Sequence, residues 1–201
     1  MKDTSKSNRA LKMPRLSDDI KIDMRYDKTL VTKEGKKLYS YRSKRANIIV
    51  IHHTATTSTQ RTRSAFMSRN ASTHYEIDRD GTIYQYLSPI YYVAWHVAGF
   101  NYRSIGIDLT HPTGADFTLA QTKSLAKLLD MLCTAFGITK TVAPKTTQYF
   151  SYENGKDGKK HKRCLTLPTN EFGIYRHSNL AQTQCPDGAP IEEALNFQLR
   201  S

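Results

Sequence analysis

Apolar residues recur along this chain in patterns that predict alternating strands and helices. Residues 48–51 (IIVI) form a continuous aliphatic run of strand length, as expected for a strand buried on both faces. Alternating runs at 20–26 and 104–110 predict further strands, and Asp80-Gly81 indicates a tight hairpin between two β-rich segments. The predicted fold class is therefore α/β, a single domain with a central, largely parallel or mixed sheet flanked by helices.

Three segments have helical spacing. The longest, Thr118–Phe136, carries leucines and Phe136 along one stripe that includes Leu119, and Gly137 follows where a C-terminal cap is expected. Shorter helices are predicted at Arg63–Arg69 and at Ile191–Leu199. Together with the strands, these helices account for one sizeable core in a chain of 201 residues.

Basic residues concentrate in two segments outside the predicted core. Residues 1–45 carry a net charge of +8 and predict a basic arm, polar over its first 18 residues, followed by a short hairpin turning at Glu34-Gly35. Residues 139–163 carry +5, and an insertion at about 144–172 predicts a protruding basic hairpin within the domain at 46–201. Since the whole chain is +12, the remainder is nearly neutral.

This charge distribution suggests partners without fixing one. Two basic appendages favour attraction to a polyanion such as an anionic envelope polymer, although lysines that only solvate loops would look the same. A nucleic-acid-binding protein is a further reading of the charge, but no nucleic-acid motif accompanies it, so no specific nucleic acid is expected as partner. The oligomeric state stays open.

Cysteine usage and hydropathy bear on the compartment. Three cysteines, an odd number, argue against a disulfide framework and for synthesis in a reducing compartment. The longest aliphatic run, residues 48–51, is too short for a transmembrane span, and the amino terminus lacks the apolar core of a signal peptide. We therefore expect a chain made in the cytoplasm without a Sec signal.

Histidine and cysteine provide the candidate chemistry. His52 and His53 end the strand at 48–51, and a late His-x7-Cys motif supplies His177 and Cys185. Two imidazoles and one thiolate are the ligand types of a catalytic zinc, which keeps its fourth position open for water, and they predict a hydrolase. A second reading joins His177 and Cys185 to His161 and Cys164 in a closed structural Cys2His2 site.

Five motifs in order resemble the zinc-dependent N-acetylmuramoyl-L-alanine amidases, over residues 46–198. They are IVIHHTAT, STHYEIDRDGTIYQYLSP, AWHVAG, NYRSIGIDL and RHSNLAQTQCPDG. The resemblance covers phage lysozymes with amidase activity, bacterial amidases and animal peptidoglycan recognition proteins. The resemblance implies the fold of these amidases, one bound Zn²⁺ ion, and hydrolysis of the amide between N-acetylmuramic acid and L-alanine of the stem peptide. A phage endolysin or secreted lytic effector is expected, acting on the wall in the periplasm or outside the cell; the alternative is a peptidoglycan-binding module that does not cut.

The resemblance also assigns the ligands. It makes His52, His177 and Cys185 the metal ligands, while His53 is expected on the opposite face of its strand in a structural role. Thr183, two residues before the cysteine, falls where relatives carry a side chain that holds the substrate carbonyl or its oxyanion.

Further site residues follow from the same motifs. Asp108 matches a glutamate that some branches use for proton transfer, and His96 is expected to contact substrate. Thr73 stands where the phage lysozymes and recognition proteins have a catalytic tyrosine, and it is placed with His96 in the substrate-binding set. Alternation along the strand puts His74 and Glu76 on the face opposite Thr73, His74 as a core histidine.

Overall fold

The computed structural model describes residues 22–23, 30, 32, 34–168 and 170–197. Its ten strands are β1 (Ile22–Asp23), β2 (Tyr39–Tyr41), β3 (Ile48–Thr54), β4 (Tyr75–Ile77), β5 (Ile83–Gln85), β6 (Tyr92–Ala94), β7 (Ser104–Thr110), β8 (Phe150–Asn154), β9 (Lys160–Cys164) and β10 (Ile174–Arg176). Its α-helices are α1 (Thr59–Arg69), α2 (Leu119–Phe136), α3 (His177–Leu180) and α4 (Ile191–Asn196).

Six strands form one sheet in the order β1-β5-β4-β7-β3-β10. All neighbours run parallel except β4 and β5, which form the antiparallel hairpin predicted at Asp80-Gly81. The predicted α/β fold with a central mixed sheet is therefore confirmed. Strands β3 and β7, seven residues each, are the long central pair, and β10 is an edge strand beside β3.

One face of the sheet packs against α2 in the apolar core, and the other face carries the candidate site residues. Ile49 and Ile51 of β3, with Ile105 and Ile107 of β7, belong to the same buried cluster as the inner residues of α2. Because side chains alternate along a strand, the residues between them point to the other face. On that face, two residues before the ends of β3 and β7, His52 lies opposite Asp108 in register.

Local capping explains where the helices start and stop. Ser58 caps α1, which begins four residues before the predicted start because the Ser and Thr run is helical from Thr59. Thr118 caps α2 through a capping box with Gln121, and Gly137 ends it at φ 61°. Leu119, expected on the buried stripe, is 64% exposed since it occupies the first turn beyond the core.

Several predicted elements lie near the ends of the chain. Helix α4 ends at Asn196, and residues 198–201 lie outside the described residues. The turn at Glu34-Gly35 is present, with Gly35 at φ 80° and its amide bonded to the Thr32 carbonyl. The basic arm at 1–18 and most of the strand expected at 20–26 lie outside the described residues. Within the described part of the chain, no helix has the length and hydropathy to cross a membrane.

Strands β8 and β9 form an antiparallel hairpin inside the segment expected to be an insertion. Each pairs only with the other, so the hairpin stands outside the six-stranded sheet. At its base the Tyr149 amide donates to the Asn179 carbonyl in α3 at 2.7 Å, and the Leu165 amide donates to the Tyr149 carbonyl. The hairpin is thus attached to the helix that follows β10.

Candidate metal centre and cleft

Adjacent strands bring together the three side chains expected as metal ligands. His52 lies near the carboxyl end of β3, and His177 comes directly after β10, the parallel neighbour of β3. The short α3 then turns the chain back so that Cys185 reaches the same point. The ligand atoms of these three residues all lie within 4.8 Å of one another, beside the edge strand β10.

His96 orients His52 through a hydrogen bond. The His52 Nε2 lies 2.9 Å from the His96 Nδ1, and the His96 Nε2 lies 3.0 Å from the Ser104 hydroxyl, which donates to the Asn101 carbonyl. The chain is satisfied when each imidazole donates from Nε2, which leaves the His52 Nδ1 as a lone pair for a metal. Gly106 permits this packing, because a Cβ there would lie 2.9 Å from the His96 ring.

Burial keeps both ligand histidines neutral. It lowers the pKa of His52 well below 6.5, with help from the neighbouring imidazoles. Burial, and to a smaller extent the Lys162 ammonium, lower the pKa of His177 to about 4. Both rings therefore carry a lone pair at neutral pH, which is the state in which imidazole binds a metal.

The Cys185 sulfur is held by the backbone of β3. The His53 amide donates to the Sγ at 3.2 Å, but burial still raises the pKa of the thiol to about 12. A thiol so buried needs a cation to become a thiolate. Two neutral imidazoles and this sulfur form a donor set that fits Zn²⁺ with one position left for water.

Asp108 lies beside His52 on the neighbouring strand and is only 6% exposed. Burial raises the pKa of its carboxyl to about 7, hydrogen bonding to the Thr73 side chain opposes this, and the charge of Glu76 adds to it. A carboxyl with this pKa holds its proton up to neutral pH while still able to release it. Asp108 therefore has the position and the acidity of a proton-transfer group.

Thr73 is placed differently from its expected role as a substrate contact. Its side chain is fully buried, does not line the cleft, and contacts Asp108 from within the protein. The strand begins only at Tyr75, so the alternation assumed across residues 73–76 does not hold. The contact we assign to Thr73 is with the carboxyl group of Asp108.

Glu76 is a residue whose position the sequence pattern does not predict. It pairs with Asp108 in the β4–β7 register, on the same face of the sheet rather than away from the site. Its fully buried carboxyl accepts hydrogen bonds from Tyr86 at 2.6 Å, Thr110 at 2.7 Å and Thr62 at 2.8 Å. The three donors stabilise the carboxylate, although burial still raises its pKa.

Two other histidines lie near the ligands: His74 is enclosed by the protein, and His53 borders the cleft around the metal ligands. His74 is fully buried, accepts from the Gly106 amide through Nδ1 at 3.0 Å, and has its pKa lowered by burial to about 3. His53 points away from His52 and stacks on His111 at 5.3 Å between ring centroids, which in turn stacks on Phe117 at 4.2 Å. Neither belongs to the ligand cluster.

The three ligands open into a cleft of about 350 Å³, within the range of ligand pockets. Helix α1 borders it with Ala65, Phe66 and Arg69, and His96 and Asp108 lie in its wall. Thr183 also lines it, exposed, with its hydroxyl oxygen accepting from the Cys185 amide at 3.2 Å. That contact leaves the hydroxyl proton available to a ligand in the cleft.

The alternative Cys2His2 site is not formed. His161 pairs with Asp157 at 2.8 Å in the hairpin, and Cys164 packs against Gly99. Among the described residues, the one group of three or more His, Cys, Asp or Glu side chains close enough to share an ion is His52, His177 and Cys185.

The sequence matches the model of a known protein family. The family model described as N-acetylmuramoyl-L-alanine amidase matches residues 42–188. No curated protein sequence matches the chain.

Three solved structures resemble this one closely enough to show the fold. The amidase LysC from Clostridium intestinale URNW has a TM-score of 0.54 at 24% identity, covering 77% of this chain and 89% of that chain. The endolysin amidase LysCS from the same organism has a TM-score of 0.57 at 22%, covering 92% and 95%. The Ph2119 endolysin from a Thermus scotoductus bacteriophage has 0.58 at 19%, covering 88% and 100%.

Proposed function

The chain belongs to the N-acetylmuramoyl-L-alanine amidase family, and on that premise we propose that it is a zinc-dependent hydrolase of peptidoglycan. The bond cut is the amide between the lactyl group of N-acetylmuramic acid and the L-alanine of the stem peptide. The observation that carries the proposal is the convergence of His52, His177 and Cys185, whose ligand atoms lie within 4.8 Å of one another.

These three side chains would hold one Zn²⁺ ion. When bound, zinc polarises a carbonyl and lowers the pKa of its bound water towards about 7, which makes an amide open to attack at neutral pH. The protein's part in this is to keep both imidazoles unprotonated, to fix the His52 ring through His96, and to donate the His53 amide to the sulfur.

Asp108 and Thr183 do the remaining chemistry. Asp108, with its pKa near 7, accepts a proton as water attacks and gives one to the departing amine, since an unprotonated amine is a poor leaving group. Thr183 donates its hydroxyl proton to the carbonyl oxygen as negative charge develops there, a contact commonly worth about 3 kcal/mol. Thr73 forms a hydrogen bond with the Asp108 side chain from the buried side.

A binding module that does not cut is the second candidate. Drosophila peptidoglycan recognition protein SA has a similar fold, with a TM-score of 0.50 at 15% identity over 79% of this chain and 83% of that one. Residue 73 is a threonine, so the position where part of the family has a catalytic tyrosine carries none here. Product analysis separates the two functions.

The cellular setting belongs to the same proposal. We place the action of the enzyme at the cell wall, in the periplasm or outside the cell, either as a phage endolysin or as a delivered lytic effector. Similarity of fold to two endolysins supports the first of these.

The decisive experiment is mass spectrometry of purified wall digested with the wild-type protein and with Cys185→Ala. Free L-alanine amino termini are expected with wild type, lost in the variant and after chelation, and restored by zinc. Cys164→Ala is the matched control, because that cysteine is exposed and lies outside the ligand cluster. Wall binding without new amino termini would replace the proposal with the binding module.

A further inference from the structure

The β8–β9 hairpin borders a groove of about 520 Å³ that none of the catalytic assignments uses. Six residues line it, namely Gln148, Phe150, Ser151, Tyr152, Lys160 and Gln182. Gln182 belongs to the loop that carries Thr183 and Cys185 into the cleft. Gln182 of the groove and Thr183 of the catalytic cleft are therefore neighbours in the chain.

The hairpin is fixed relative to the metal centre. The Lys162 ammonium donates to the Ala98 carbonyl at 2.9 Å and lies over the rings of Phe100 and Phe150 at 5.5 and 5.8 Å. On the same face Cys164 packs against Gly99, three residues after His96. Contacts at the His96 loop and at α3 thus hold the groove in one position beside the ligands, which is what a substrate subsite requires.

The groove offers an aromatic surface with neutral polar groups around it. Tyr152 is 43% exposed and is supported from the side by Phe150, whose ring centroid lies 5.9 Å away at 84°. Gln148, Gln182 and Ser151 supply both donors and acceptors. An apolar ring face with amide and hydroxyl groups suits a sugar, which presents C–H groups on one face and hydroxyl and N-acetyl groups around its edge.

The substrate has a peptide part and a glycan part, and the α1 side of the cleft and the hairpin groove differ in chemistry. On the α1 side the cleft is bordered by Ala65, Phe66 and the guanidinium of Arg69, which suits a peptide that carries carboxylates. The hairpin groove suits the neutral glycan. Lys160, which lines the groove, and the hairpin's Lys156 and Lys159 complement the carboxylates of stem peptides further along the strand.

We propose that this groove binds the glycan strand beyond the muramic acid at which cleavage occurs, with Tyr152 as the stacking platform and Gln182 as a hydrogen-bonding side chain. The proposal rests on the peptidoglycan amidase function. It makes the hairpin the part of this chain that distinguishes polymeric wall from small wall fragments.

The test compares two substrates that carry the same stem peptide. One has a single N-acetylmuramic acid, and the other has several disaccharides. Tyr152→Ala should lower kcat/KM on the long substrate by about 2- to 12-fold, through KM, because an aromatic contact is commonly worth about 0.5–1.5 kcal/mol. It should leave the short substrate unchanged, and Gln182→Ala should act in the same direction. Tyr41→Ala is the matched control, since Tyr41 is 70% exposed in β2 and does not line the groove.

A binding measurement separates this inference from the amidase function. Peptide-free glycan chains are titrated into wild type, Tyr152→Ala and Tyr41→Ala, and only Tyr152→Ala should lose affinity. Equal loss on both substrates, equal loss in both tyrosine variants, or no glycan binding by wild type would overturn the inference while leaving cleavage intact. Glycan binding that depends on Tyr152, with neither substrate cleaved, would support the groove and refute the amidase.

Discussion

The Nε2 of His52 lies 2.9 Å from the Nδ1 of His96, so a residue expected to touch substrate also holds a metal ligand in place. The Ser104 hydroxyl at 3.0 Å from the other nitrogen of His96 fixes the direction of the chain. The tautomer of His52, and with it the atom presented to zinc, therefore depends on a residue 44 positions away.

Loss of His96 should weaken zinc binding. Because outer partners of metal-binding histidines are commonly worth about 10- to 100-fold in metal affinity, His96→Ala should lower zinc affinity by a factor in that range. His96→Gln, whose carbonyl can accept the same hydrogen bond, should recover part of the loss. Chelator competition measures the affinity, with His161→Ala as a control at an exposed histidine. Unchanged affinity in His96→Ala would restrict that residue to substrate contact.

Asp108 should make the metal-free protein less stable as pH rises. In the unfolded chain this carboxyl loses its proton near pH 4, whereas in the folded protein it keeps it until about pH 7. The folded state binds more protons in that window, so the free energy of unfolding falls between pH 4 and 7, by about 4 kcal/mol for this one group. Above pH 7 the folded protein must hold a buried carboxylate.

Asp108→Asn should remove this pH dependence. Urea unfolding of the metal-free proteins at pH 4, 5.5 and 8 should show the variant gaining stability relative to wild type as pH rises. The same variant should lose at least about 100-fold in kcat, because it can no longer transfer a proton. A stability difference that does not change with pH would mean that the carboxyl titrates normally.

The donors to Glu76 should matter more than ordinary hydroxyl contacts. Thr110→Val removes the 2.7 Å bond to the carboxylate and should lower the free energy of unfolding by about 1.5–3 kcal/mol, as for bonds to charged groups. Thr122→Val removes a 3.2 Å bond to the neutral carbonyl of Thr118, the residue that caps α2, and should cost about 1 kcal/mol or less. Equal costs in urea unfolding would contradict an ionised Glu76.

Gly99 should tolerate no side chain while Cys164 is present. A Cβ at Gly99 would lie 2.1 Å from the Cys164 sulfur, and φ is +89°. Gly158→Ala, at φ +71° with open space around it, isolates the backbone cost of about 1–2 kcal/mol. Gly99→Ala should lose about 1–3 kcal/mol more.

The Cys164→Ala substitution supplies the cross-check for Gly99. With the sulfur gone, the nearest atom to the added Cβ is the Cβ of residue 164 at 3.6 Å, an ordinary contact. Gly99→Ala combined with Cys164→Ala should therefore return to the level of Gly158→Ala in urea unfolding. Strict additivity of the two substitutions would show that the hairpin does not pack on this loop in solution.

The basic arm should act as an electrostatic tether. Removal of residues 1–18 should weaken wall binding at about 10 mM salt, where screening extends over about 30 Å, and much less at 150 mM, where it extends over about 8 Å. A full-length chain with the arm's lysines and arginines replaced by glutamine should behave like the truncation. Wall binding and lysis that stay unchanged at low salt would exclude this role.

Sequence reasoning predicts best where chemistry and spacing coincide. The IIVIHH run and the His-x7-Cys motif supply the candidate histidines and cysteine, because few side chain types bind zinc, and the resemblance to the amidases selects His52, His177 and Cys185 among them. Helix α2 is confirmed to within a residue by its capping box and Gly137. Strand β10, three residues long, has no such signal, although it positions His177.

Contacts between distant segments are what the sequence leaves out. The pairing of Glu76 with Asp108 depends on where β4 begins, and the strand starts after Thr73, so counting alternate residues assigns the wrong face. The bond between His52 and His96 depends on a glycine in a third segment, since only Gly106 leaves room for the ring. Such facts require the packing, because no local pattern encodes them.

The separation of β8 and β9 from the main sheet gives the protein a replaceable part. Strands β3 and β10 and the loop after α3 position the ligands, so the tip of the hairpin can be recoded without moving a metal-binding atom. Grafting other tip sequences between residues 154 and 160, with Lys162 and Cys164 kept in place, is therefore a direct route to retargeting the protein towards cell envelopes of different composition.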